Sequence, residues 1–154
     1  MISKQLITAY KETHFIINDF DKPILIDEAF IFTPIEEYSR CSIESIAFIT
    51  AWNPYSEMLS LEKNTERNKK LLSEVESIGC HALKGIGINP NSDWPGEESY
   101  AIININKNKA IELAKSFEQN AFVWAQKNKK SKLIFIDYKP DGINYNQYFE
   151  KKQQ

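Results

Sequence analysis

The stretch FITAWNPYSEMLSLEKN, beginning at Phe48, sets amide side chains where a helix should show hydrocarbon. Leu61, Asn64, Asn68, Leu71, Val75 and Ile78 follow one another at steps of three and four, which is a single core-facing stripe of a helix. A buried amide must find hydrogen-bond partners or cost a few kcal/mol, about 1–3 by mutational measure. Asn64 and Asn68 are therefore expected either to face a polar cavity or to bind nearby backbone. An amide that faces a cavity fixes the orientation of a ligand. Trp52 and Trp94 supply flat walls for such a pocket, and Asp93, Glu97 and Glu98 supply carboxylates. A carboxylate buried beside Asn64 is a candidate general acid or base. Thr50, Asn53, Gln119 and Asn120 complete the polar set, and Arg67 with the N-terminal dipole of its helix favours an anionic group.

Other chemistry lacks its residues. No Walker loop, GxGxxG, GxSxG or HExxH occurs. Two histidines, His14 and His81, are too few for a histidine-rich metal site, and Cys80 and His81 are strand neighbours that point to opposite faces. No metal is expected, and no cofactor is identified. GIGINP, from Gly85, puts two glycines in a strand, which suits close backbone approach or a bulge better than a phosphate cradle. Cys41 and Cys80 form no CxxC pair, and Cys80 is expected to act as a small buried hydrophobe.

The bulk composition describes an ordinary globular chain. Its 154 residues are 42% hydrophobic and 26% charged, with a formal net charge of −2. A single domain of this size buries roughly 68–70% of its unfolded surface without a staple. The charge balance favours neither nucleic acid nor an anionic membrane. KNKKSK, Lys127 to Lys132, is the one concentrated basic stretch and reads as a solvated hairpin turn. The N-terminus lacks the apolar core of a signal peptide and no apolar run is long enough to span a bilayer, so a soluble, cytoplasmic protein is expected.

The expected fold class is α+β. Residues 1–41 read as a β-rich N-terminal arm, from QLITAYKETHFIIND and PILIDEAFIFTP; residues 42–139 form the core, and 140–154 a polar tail. In the core, SIESIAFITAW is a strand broken by Pro54. A helix capped at Ser56 or Ser60 then runs to Ile78 and stops at Gly79. CHALKGIGI and ESYAIININ are strands, KNKAIELAKSFEQ is a helix with Ala110, Ile111, Ala114 and Phe117 on one face, and NAFVWAQ and KLIFIDY are the last two strands. The order is that of a ferredoxin-like split βαββαβ core with an extra C-terminal strand. Both helices then lie on one face, and the arm covers the other or extends the sheet.

That topology gathers the polar residues. The Thr50–Pro54 corner, the early turns of the first helix, the long loop Asn89–Ser99 and Gln119-Asn120 all arrive at the same end of the sheet. Long ordered loops in compact domains often carry function.

ITAWNP, Asn64 and Asn68 before a Leu-Leu pair, Trp94 before EES, and FEQNAFVWA together resemble the bacterial domain-of-unknown-function 3293 family. The resemblance spans Ile46 to Ala125, with Glu118 standing where the family pattern has glycine. It implies no activity, cofactor or substrate. Three readings stay open. The first is a small polar or nucleotide-like ligand bound where the four segments meet. The second is an interaction module for a protein or, less in keeping with the charge, a nucleic acid, presenting Phe48, Trp52, Tyr100 and Trp124 on the sheet face. The third is a carboxylate-dependent enzyme using Glu97 or Glu98. Enzyme status, oligomeric state and the partner's identity stay open with them.

Overall fold

The computed structural model describes residues 3–136. Within them lie four α-helices and one seven-stranded antiparallel sheet. The expected polar tail, 140–154, lies outside the described residues.

The arm is not the β-rich segment expected. It holds helix α1 (Lys4–Glu12), strands β1 (His14–Ile17) and β2 (Ile24–Ile26), and helix α2 (Thr33–Ser39). The stretch QLITAY has strand-like composition, but Ser3 caps it by accepting from the Leu6 N–H at 3.1 Å. Leu6, Ile7 and Tyr10 then fall on one side of a helix and pack against the sheet, so tertiary burial overrides β-propensity. β1 and β2 extend the sheet instead: β1 pairs with β2 and with β4 (His81–Ile88).

The remaining elements are β3 (Ser45–Ile49), a short 3-10 turn at Pro54–Ser56, α3 (Leu61–Ser77), β5 (Glu97–Ile103), α4 (Lys107–Ser116), β6 (Ala121–Gln126) and β7 (Lys132–Phe135). The strand order is β2-β1-β4-β5-β3-β6-β7. Side chains alternate across the central strands and feed two cores. Ile46 and Phe48 of β3 join Ile7 and Ile35 of α1 and α2, while Ala47 and Ile49 join Leu71 and Val75 of α3 and Ala110 and Ala114 of α4. Both faces of the sheet are thus covered. Phe48, Trp52 and Trp124, offered above as rings for an open sheet face, are buried.

The first core helix takes Ser60 as its cap, not Ser56, and its stripe is shorter than expected. Leu61 is 71% exposed and Ile78 is also exposed, whereas Asn64, Asn68, Leu71 and Val75 are buried. In β4, Gly85 does serve close approach: a Cβ there would stand 2.5 Å from the Phe48 ring and 2.9 Å from the Ile16 carbonyl oxygen.

α3 and α4 end in the same hydrogen-bonded turn. After α3, Gly79 (φ +81°) donates to the Glu76 carbonyl and Cys80 to that of Val75. After α4, Glu118 (φ +57°) donates to Lys115 and Gln119 to Ala114. Glycine fills this left-handed position without strain in the first case, and glutamate fills it in the second. The Glu118 carboxylate reaches Arg67 at 3.5 Å but is about half exposed, so the ion pair adds little. Glu118→Gly is expected to raise stability by up to about 1 kcal/mol, read as a higher urea midpoint at unchanged slope. A fall of that size would mean that the carboxylate is needed where it stands.

Candidate functional site

β3 stops pairing with β5 after the Ile49–Tyr100 partners, yet the chain stays buried through Asn53. A buried backbone without a ladder needs other partners. All six polar groups of Ala51, Trp52 and Asn53 have one. The Ala51 N–H donates to Asn68 Oδ1 at 2.9 Å, and its carbonyl accepts from Arg67 Nε at 2.7 Å. The Trp52 N–H donates to Thr50 Oγ1 at 3.0 Å, and its carbonyl accepts from Gln119 Nε2 at 3.1 Å. The Asn53 N–H donates to Asn64 Oδ1 at 2.8 Å, and its carbonyl accepts from the Ser56 N–H at 2.9 Å.

The same side chains tie the corner to its neighbours. Asn68 Nδ2 donates to the Glu98 carbonyl at 2.8 Å, Arg67 Nη2 to the Phe117 carbonyl at 2.6 Å, and Asn64 Nδ2 to Asn53 Oδ1 at 2.8 Å. The four polar segments therefore do meet. Their amides, however, bind the chain and not an open pocket. Asn64 and Asn68 are bonded at both ends, and the Arg67 guanidinium is committed to two carbonyls. Trp52 is buried in the corner, and Asp93 and Glu98 have exposed side chains.

The open space lies on the other face of the sheet, under α1. A cavity of about 260 Å³ is walled by Leu6, Ala9, Tyr10, Phe15 and Phe48, and ends in polar groups from Thr50, Ser56, Trp94, Glu97, Ser99 and Gln119. Of the residues expected at a site, Thr50, Trp94, Gln119 and the carboxylate of Glu97 line it. Asn53 and Asn120 stand immediately behind. Asn53 Nδ2 donates to Glu97 Oε2 at 2.8 Å, and Trp94 Nε1 donates to the same oxygen at 3.0 Å. Asn120 Nδ2 donates to Ser56 Oγ at 3.0 Å. Both donors to Glu97 converge on Oε2, and Glu97 lines the cavity.

Tyr10 was missed because its segment was read as strand; the Ser3 cap followed by Leu6, Ile7 and Tyr10 at helical spacing was the signal present. Only half-buried as a residue, it carries its hydroxyl deep between Ser56 and Asn120. Burial pushes the Tyr10 phenol up to about 12; a Ser56 hydrogen bond opposes the rise, the Glu97 charge adds to it and Asn120 opposes it again. The phenol is therefore neutral and able to donate. Burial likewise raises the Glu97 carboxyl, against the hydrogen bonds from Trp94 and Asn53. Among the described residues no group of three His, Cys, Asp or Glu side chains gathers to hold a metal, and no helix is long and apolar enough to cross a membrane.

Two outcomes follow from this geometry. Asn64→Ala and Asn68→Ala each strand buried backbone groups of the corner and should each cost about 1–3 kcal/mol by urea unfolding; a loss under about 0.5 kcal/mol would mean that the corner closes without them. Glu97 holds its proton to higher pH folded than unfolded, so across that window the native state binds more protons and stability falls as pH rises. The contribution is complete below the ordinary value of 4.5 and gone above the raised one. Glu97→Gln, which keeps an acceptor for Trp94 and Asn53, should remove this slope; melting curves that keep it would assign it to another group.

The corner and the loop that carry these contacts fall inside one recognised unit. The model of the family described as a protein of unknown function, DUF3293, matches residues 49–122. No curated protein and no solved structure matches the chain. The matched segment starts in β3, runs through the Ala51–Asn53 corner, α3 and the Trp94 loop, and closes at the start of β6, and over these residues the chain is similar to the DUF3293 family.

Proposed function

We propose that this chain binds a small molecule in the cavity between α1 and the sheet, with Glu97 as its principal polar contact. The observation that carries the reading is a carboxylate built into the polar end of a mostly apolar cavity. Two donors hold its Oε2 in place, and the residue lines the space. Binding sites typically combine mostly apolar walls with a few fixed polar groups. An apolar cavity of about 150 Å³ already admits benzene, so about 260 Å³ accommodates a single ring with a short side chain. The nucleotide-like ligand expected from the sequence finds less support: among the described residues the lining includes no Lys, Arg or His to meet a phosphate.

A second reading, general acid–base catalysis, is favoured by one observation. Burial raises the Glu97 carboxyl above its ordinary value, and Glu97 lines one cavity with a neutral Tyr10 phenol, so a titrating carboxylate and a hydroxyl donor share the same space. We further read β3, α3, β4, β5, α4 and β6 as a ferredoxin-like split βαβ unit. Its support is the strand run β4-β5-β3-β6 with α3 and α4 on a common core.

A thermal-shift screen tests the binding reading with wild type and Ala9→Phe, whose added ring fills the cavity from α1. A compound at a hundred times its Kd should add about 2.7 kcal/mol to wild type. It should leave Ala9→Phe, itself melting at or above the wild-type temperature, unshifted. Compounds that shift both proteins equally bind elsewhere, and that result overturns the reading.

A further inference from the structure

We infer that the ligand of this cavity is a small organic cation, an ammonium head on an aromatic or aliphatic body. The inference rests on the binding reading above and narrows it. Five aromatic side chains, Tyr10, Phe15, Phe48, Trp94 and Phe122, line the space with Glu97 at its polar end. Phe15 and Phe48 meet edge to face with centroids 5.7 Å apart, so the ring wall is fixed by packing. Trp94 is fixed by the 3.0 Å bond from its indole N–H to Glu97. Aromatic faces attract cations, and a carboxylate accepts from an ammonium.

The charged groups around the cavity agree in sign. Among the described residues its lining has one ionisable acid, Glu97, one neutral phenol, Tyr10, and no basic side chain. The nearest guanidinium at this end of the sheet, Arg67, binds the carbonyls of Ala51 and Phe117 and the Glu118 carboxylate. An anion entering here would meet the negative carboxylate without a counter-charge, and a neutral body would desolvate that carboxylate without supplying one. An ammonium satisfies both the rings and the carboxylate. It also stabilises the ionised form of Glu97 that burial disfavours.

Three probes of nearly equal size separate the possibilities by calorimetry: 2-phenylethylamine, 2-phenylethanol and 3-phenylpropionate. The amine should bind wild type at least about tenfold more tightly than the alcohol, and the carboxylate more weakly than either. Glu97→Gln should abolish the advantage of the amine while the alcohol binds as before, which also shows that the cavity still forms. Alcohol or carboxylate binding as tight as the amine, yet lost in Ala9→Phe, overturns the cation and leaves the cavity as a binding site. Failure of all three probes, and of methylammonium and tyramine, overturns the cation as well, and the library screen on Ala9→Phe then decides the cavity separately.

Discussion

The structure depends on how three residues that leave a sheet are kept bonded. Ala51, Trp52 and Asn53 depart from β3 while still buried, and a buried peptide group without a partner costs about 1–3 kcal/mol. Six such groups would exceed the whole stability of many domains, which lies near 5–15 kcal/mol. Side chains take up five of them: Asn64, Asn68 and Arg67 from α3, Gln119 after α4, and Thr50 beside them. That requirement explains why amides interrupt the apolar stripe of α3. They stand where the helix faces a bare backbone, and hydrocarbon returns at Leu71 and Val75, where it faces packed side chains.

Such a corner is also where strain can be held. Asn53, Tyr55, Ser56 and Glu118 all adopt positive φ, a conformation costing an L-residue roughly 1–2 kcal/mol. Four in one neighbourhood persist because the surrounding bonds over-determine them. The Tyr55 N–H donates to the Glu118 carbonyl at 2.7 Å, joining two of the strained residues directly. The turn they make carries the chain from the α3 side of the sheet to the α1 side, where Ser56 reaches the cavity.

The core elements were legible in the sequence, and the site was half legible. Strands β3 to β7 and helices α3 and α4 announce themselves by period and caps, and the meeting of four polar segments follows from chain direction alone. Two things were hidden. Asn64 and Asn68 carry the same signal whether they face a ligand or a backbone, since burial and polarity are identical in both cases and only the partner differs. The cavity was hidden with α1: Leu6, Ile7 and Tyr10 sit among β-branched residues, and what makes them helical is the sheet beneath them. Glu97 was recognisable as a carboxylate in a long loop, but not as the one of its pair that turns inward. Strand alternation turns Glu97 to the cavity and leaves Glu98 exposed.

Asn53 joins what the sequence suggested to what the structure adds. Its Oδ1 accepts from Asn64 Nδ2 and from the Leu59 N–H, which fixes the amide plane, and its Nδ2 is thereby aimed at Glu97. Asn64 thus acts on the cavity through Asn53 without touching it. A carboxylate held this way cannot turn without releasing both Asn53 and Trp94. The desolvation that raises the Glu97 pKa is therefore maintained by the network that closes the corner.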